Sequence, residues 1–153
     1  IAVFDRLDKK LQEGQPLLEL MWQRREIENY LCQREVLLAY ARYDLPDDLF
    51  GSAERERRDQ AMTEAIDEVA QALETLGRPG PWSPDIKASD EFLDPGFERY
   101  FRKLNLPNLM RKTDYHVLAG LVRREQIDAE VVGKLDAIVQ VAAQARPRSG
   151  QAA

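Results

Sequence analysis

The sequence predicts an α+β fold that is predominantly α, with two short strands followed by about five helices. Three observations predict it. Ile1-Ala2-Val3-Phe4 and Leu17-Leu18-Glu19-Leu20-Met21-Trp22 are apolar runs of strand length. From Glu28 onward, apolar residues recur at intervals of three and four. Proline, glycine and helix-capping residues divide that pattern into separate segments. At 153 residues and 44% apolar content, the chain can build one domain with a real core. Residues 1–32 form its strand region, 33–145 its helical region and 146–153 a small, polar, flexible tail.

Taken in order, Ile1–Phe4 is continuously apolar, as in a strand buried on both faces, and Asp5 marks its end. Residues 5–16 are polar, and Gly14 and Pro16 break any regular element there. Leu17–Trp22 is the second strand. Residues 28–43 predict a helix with Val36, Leu37, Tyr40 and Ala41 apolar, ended before Pro46. Ser52 reads as an N-cap with Glu54 and Glu56 in the first turn. The helix it starts carries Met62, Ile66, Val69, Leu73 and Leu76, a 4-3-4-3 spacing that makes one narrow seam. Arg55, Arg58, Glu64 and Glu68 take the opposite face, and Gly77 is the stop. The seam is expected to pack within the fold, with pairing to a second chain as the alternative.

Pro79, Pro81 and Pro84 make residues 78–87 irregular, with Trp82 as the anchor to the core. Asp94-Pro95 reads as a cap followed by proline at the first helical position, ahead of Phe97, Tyr100, Phe101 and Leu104. Thr113 reads as the cap of a helix over 113–123 with Tyr115, Leu118, Leu121 and Val122 apolar. Asp128 caps the last helix, whose Val131, Leu135, Ile138, Val139 and Ala142 are expected to face inward.

Composition limits the function. A net charge of -5 excludes an indiscriminate nucleic-acid binder. Basic groups still cluster at Lys9-Lys10, Arg24-Arg25, Arg99-Arg102-Lys103 and Arg111-Lys112, as solvated faces or as a DNA path. The single cysteine, Cys32, cannot form an internal disulfide and reads as a packing residue compatible with a reducing cytosol. The longest apolar runs fall well short of the roughly 18–20 residues that span a bilayer, so no membrane partner is expected and a cytoplasmic location is. With one histidine, His116, and one cysteine, no Cys/His zinc cluster can form. No G-x-x-x-x-G-K-[ST] phosphate loop occurs. The chain opens on a strand, without a signal peptide or initiator methionine, and is expected to be part of something longer.

The most informative stretch is Arg24-Arg25-Glu26-Ile27-Glu28-Asn29-Tyr30-Leu31. It delivers two basic and two acidic side chains to a strand-to-helix junction, where α/β sheets place their sites. Glu26 and Glu28 share a face if the strand persists. If a helix starts there, Glu28 sits near its N-terminus. The alternative is an acidic helix start with Tyr30 and Leu31 in the core.

This R-R-E-I-E-N-Y-L stretch resembles the end of the Toprim module in OLD-family and related AAA-type ATPases. Ala2-Val3-Phe4-Asp5-Arg6-Leu7-Asp8 resembles the Toprim strand that ends in two metal-binding aspartates. Leu109-Met110-Arg111-Lys112-Thr113-Asp114-Tyr115-His116 resembles the family's lysine-bearing tail. The resemblance spans about residues 1–145 and implies a small two-strand Toprim remnant with a helical extension. It implies metal-dependent hydrolysis of DNA phosphodiesters in an ATP-dependent endonuclease, with ATP bound only by an upstream ATPase domain outside this chain. Asp5, Asp8 and Glu28 would be the metal ligands, for magnesium or manganese in a site of up to two ions. Glu28 and Lys112 would be catalytic, the lysine neutralising charge as it develops on phosphate. Arg24, Arg25, Arg111 and Lys112 would contact DNA. One departure stands out: the family pattern is D-x-D, whereas this chain has D-R-L-D. A one-residue shift flips a side chain across a strand, so Asp5 is the stronger ligand and Asp8 needs a turn to return it. The family's glutamate on an earlier strand has no counterpart here. A degenerate, non-catalytic Toprim acting as a scaffold is therefore the second hypothesis. A helical adaptor that homo-oligomerises through the 62–76 seam is the third.

Overall fold

The computed structural model describes residues 1–8, 10–11, 17–46 and 48–145. Lys9, the breakers Gly14 and Pro16, and the 146–153 tail lie outside the described residues. Strands β1 (Ala2–Phe4) and β2 (Glu19–Met21) pair in parallel, with Ala2 opposite Glu19, Val3 opposite Leu20 and Phe4 opposite Met21. Among the described residues five α-helices follow: α1 (Arg34–Arg42), α2 (Leu49–Thr75), α3 (Asp94–Lys103), α4 (His116–Ala119) and α5 (Ala129–Gln144). The fold is α+β and mostly helical, as the sequence predicts. The expectation of a strand buried on both faces is corrected: all three residues of β1 are partly exposed, and Ile1 is exposed.

The core is helical. α2 packs against α1 on one side and α3 on the other. Met62, Ile66, Val69 and Leu73 are all at most 4% exposed and face Val36, Leu37 and Ala41 of α1 and Phe97, Tyr100 and Phe101 of α3. Their seam is thus consumed inside the chain, as expected, and these four residues are not left over for the alternative of pairing with a second chain. Leu76, its last member, is 64% exposed, because the helix has already turned off there. Gly77 adopts φ +63, its N–H bonds Glu74 O at 2.9 Å and the Arg78 N–H bonds Leu73 O at 2.9 Å. This double closure with a left-handed residue is the Schellman ending that glycine permits.

Several boundaries differ from the sequence reading, each for a local reason. Residues 28–43 are not one helix: a 3₁₀ turn over Ile27–Tyr30 is separated from α1 by extended Gln33. Helix α2 starts before Ser52, because the Asp48 carboxylate accepts the Gly51 N–H at 2.7 Å and caps it first. Gly51 is required there, since a Cβ would lie 1.9 Å from the Pro46 carbonyl oxygen. Asp94 is not an isolated cap. A π-helical turn over Ala88–Leu93 runs straight into α3, and the Asp94 N–H reaches Ser89 O. Pro95, with no N–H to give, sits where that wide turn becomes α-helix. The helix expected over 113–123 is only a 3₁₀ turn, Lys112–Asp114, and the four-residue α4, while Leu118 still enters the core.

The last correction concerns α5. Asp128 caps it, accepting the Glu130 N–H at 2.9 Å. None of its residues is buried, however, and Leu135, Ile138 and Val139 are 55%, 37% and 65% exposed rather than inward. Its first turns are held by polar groups instead. Glu130 accepts from Gln23 N–H at 2.9 Å, from Lys134 at 2.6 Å and from the Tyr30 hydroxyl. The Lys134 ammonium lies 5.1 Å over the Trp22 ring.

The buried seam generates a test. Ile66→Ala should destabilise the chain by about 2–5 kcal/mol, whereas Leu76→Ala should cost no more than about 0.5 kcal/mol. Denaturant midpoints measured at two protein concentrations check this, and the Ile66→Ala loss should not depend on concentration.

Candidate functional site

Both strands are parallel, so their carboxyl ends lie side by side. The ladder continues beyond them: Trp22 N–H bonds Phe4 O at 2.9 Å and Arg6 N–H bonds Arg25 O at 3.1 Å. Asp5 is thereby fixed next to the stretch that leads into the 3₁₀ turn. Glu26 is extended, and its N–H bonds the Asn29 side-chain oxygen at 3.0 Å, which starts that turn. The turn reverses the chain within two residues and separates the two glutamates. Glu26 points inward, 4% exposed, and accepts the Ser89 N–H. Glu28 stays partly exposed. Burial pushes the Glu28 carboxyl above its ordinary range; its own backbone N–H and the charge of Lys112 oppose this, while Glu26 and Asp5 add to it.

Lys112 reaches the same place from far along the chain. Its ammonium donates to Ser89 Oγ at 2.9 Å and to Asp90 Oδ1 at 3.3 Å. Partial burial disfavours its charge, but the Asp90 hydrogen bond and the charges of Asp90, Glu26 and Glu28 outweigh that and raise its pKa. Asp90 is lowered to about 2, first by Lys87 and then by Ser89 and Lys112. Ser89 and Asp90 were not legible as site residues. They sit in the π-helical turn, and only the tertiary fold brings them to Lys112. Nearby, the Tyr115 hydroxyl donates to Asp94, and its ring stacks on Phe97 at 6.1 Å.

No family model, curated protein or solved structure matches the chain.

The predicted site residues divide into two groups. The charges of Asp5 and Lys112 both act on Glu28, with opposite signs. Arg111 is exposed and shares an open groove with Lys112, Asp90, Asp94 and Glu98. Asp8 is exposed in a bend after β1 and is not among the charges acting on Glu28. Arg24 faces the other way, 3.4 Å from Asp128 and 5.1 Å over the Tyr30 ring, and so ties α5 to the junction. Arg25 is spent on the 84–85 loop: its N–H bonds Pro84 O at 2.9 Å and its guanidinium bonds Asp85 O at 3.3 Å. Of the remaining basic clusters, Lys103 bridges Glu64 and Glu68 at 2.8 and 2.7 Å, Arg99 lies 3.6 Å from Glu68 and Arg102 pairs with Glu98. His116 is exposed, its Nδ1 3.0 Å from Thr113 O. Cys32 is buried and its thiol donates to Pro81 O at 3.4 Å, with burial raising its pKa.

Asp5 and Glu28 offer hard oxygen donors, the type that magnesium or manganese takes, usually in small number with water and phosphate completing the shell. Among the described residues, no group of three or more His, Cys, Asp or Glu is arranged to hold an ion.

The coupling of these charges has a pH signature. A carboxyl with a raised folded-state pKa binds protons more tightly when folded, so its contribution to stability falls as pH rises from the ordinary glutamate range to the raised value. Glu28→Gln should therefore raise the Tm relative to wild type at neutral pH and give no such gain below the ordinary glutamate range. In Lys112→Met, Glu28 should titrate higher still, as followed by its side-chain carboxyl signal in NMR. An unmoved Glu28 would place Lys112 outside its reach.

Proposed function

We propose that this chain is the C-terminal part of an ATP-dependent, OLD-like Toprim endonuclease that hydrolyses DNA phosphodiesters with a divalent metal. The observation that carries this reading is Lys112 beside the strand-end carboxylates. Lys112 lies some eighty residues from Glu28 in sequence, and no local periodicity brings them together, yet the charges of Glu26 and Glu28 act on it and its ammonium is held by Ser89 and Asp90. A phosphodiester site needs that combination: acidic oxygens for cations on one side, and a fixed positive charge facing the phosphate on the other.

In this reading Asp5 and Glu28 would hold magnesium or manganese, with Asp8 joining from its bend. The bound metal would supply Lewis-acid polarisation of the phosphoryl group. Lys112 orients a non-bridging phosphate oxygen and offsets the charge that builds on it. Arg111, in the same groove, binds the neighbouring phosphate without reading sequence. ATP hydrolysis belongs to the upstream ATPase domain. The location in this reading is cytoplasmic; among the described residues no helix is long and apolar enough to cross a membrane.

The second reading is a non-catalytic Toprim-like module that mediates partner binding or homo-oligomerisation. The exposed apolar side chains of α5 favour it.

In the complete ATPase-bearing protein, Lys112→Ala should lower DNA cleavage on the order of 10²-fold or more and leave ATP hydrolysis near the wild-type rate. The 153-residue chain alone should show no ATPase and little nuclease activity. Wild-type cleavage by the Lys112→Ala protein would remove the lysine from the mechanism, and no cleavage by the complete wild-type protein would leave the second reading.

A further inference from the structure

Two helices end at the same place, at the opposite end of α3 from Asp94. Tyr43 is the last residue of the α1 ending, and Asp44 after it is left-handed at φ 64. α3 closes through Asn105 at φ 55, with the Leu106 N–H bonding Phe101 O at 2.9 Å. Asparagine and aspartate are the residue types that tolerate this conformation best after glycine. Between the two endings is a pocket lined by Tyr40, Tyr43, Arg58, Tyr100, Leu104 and Leu109, among others. Its floor is buried, since Tyr100 and Leu104 are 2% and 4% exposed. Its mouth is open, with Tyr43 and Leu109 55% and 67% exposed. Among the described residues, the Tyr43 ring pairs with no other ring.

The electrostatics select the ligand. Arg58 is already paired, 2.9 Å from Glu54 and 3.4 Å from Asp44, so it is no free anion receptor. Two helix C-termini add partial negative charge. Phosphate and carboxylate groups are therefore disfavoured inside. A flat, neutral ring bearing N–H donors is favoured: its face can stack on Tyr43, and its amino groups can meet the Asp44 carboxylate and the helix-end carbonyls. A nucleobase has those properties.

The pocket is also connected to the Lys112 groove. Leu106 and Leu109 rim the pocket, while Asn108, Met110, Arg111 and Lys112 line the groove, so one loop borders both. α3 lies between them, and at ~1.5 Å per residue it separates its ends by roughly 15 Å, a span that a few nucleotides of single strand can cover.

We propose that the pocket holds one unpaired nucleobase, on a strand whose phosphates follow the 105–111 loop to Arg111 and Lys112. The phosphate half of this rests on the nuclease reading, and the base half rests on the pocket itself.

The test is binding of the chain to a short single-stranded oligonucleotide carrying one 2-aminopurine, read by fluorescence quenching and by anisotropy. The 2-aminopurine deoxynucleoside alone serves as the second probe. Quenching should accompany oligonucleotide binding. Tyr43→Ala should weaken binding about five-fold or more, and Leu109→Ala should weaken it less. Tyr43→Phe, which keeps the ring, should bind nearly as the wild type does. Lys112→Ala should weaken the oligonucleotide and leave the nucleoside unchanged. Oligonucleotide binding without quenching, and indifferent to Tyr43→Ala and Leu109→Ala, overturns the base pocket while the nuclease reading stands or falls on its cleavage assay. A nucleoside bound as tightly as the oligonucleotide, with Lys112→Ala silent for both, overturns the strand path. Quenching that survives while the complete protein cleaves no DNA retains the pocket and removes the nuclease reading.

Discussion

Asn29 is the group on which the site depends. It is 2% exposed, and its side chain uses both ends. The oxygen accepts the Glu26 N–H, and the amide donates to Ser83 O at 3.2 Å and Ile86 O at 3.1 Å. One side chain thus fixes the turn that separates Glu26 from Glu28 and anchors the proline-rich loop leading to the π-helical turn. Glu26 completes the join by accepting the Ser89 N–H. Buried polar groups of this kind are costly unless satisfied, so each satisfied partner narrows the arrangements available to the others. Among the described residues no buried side-chain nitrogen or oxygen is left without a partner. The strand region and the helical region meet at this junction, and Lys112 finds Ser89 and Asp90 already in place.

The helical core was legible because its signal is local. Met62, Ile66, Val69 and Leu73, and then Phe97, Tyr100, Phe101 and Leu104, repeat with helical spacing, and all are buried. The two strands were legible for the same reason. Helix starts were less so, because a capping carboxylate competes with its neighbours: Asp48 lies four residues before Ser52 and takes the role first. The inward face assigned to α5 failed because periodicity shows that a stripe exists but not what covers it. Ser89 and Asp90 carried no sequence signal, since their role arises from a contact more than twenty residues away in sequence. Asp5, Glu28 and Lys112 were placed together by resemblance rather than by pattern; in the fold the charges of Asp5 and Lys112 each act on Glu28.

Charge is distributed to the same end. Most basic side chains that could have made a continuous positive stripe are consumed within the helical core. Lys103 and Arg99 hold α3 to the acidic side of α2, while Arg42 grips Asp59 with contacts of 2.7 and 2.8 Å. Exposed pairs of this sort contribute little individually. Their consequence is that the Arg99, Arg102 and Lys103 cluster offers no continuous positive stripe.

The anchoring of α5 makes this a molecule with two grades of permanence. Its first turns are clasped by Tyr30, Gln23, Lys134 and Trp22, and its later turns bury none of their own side chains. Opening α5 therefore breaks a few polar contacts and leaves the α1–α2–α3 core closed, so its amides exchange with solvent through a small local excursion rather than through global unfolding. The helix behaves as an arm on a ratchet of hydrogen bonds: the core sets where it begins, and the clasp alone sets how long it stays.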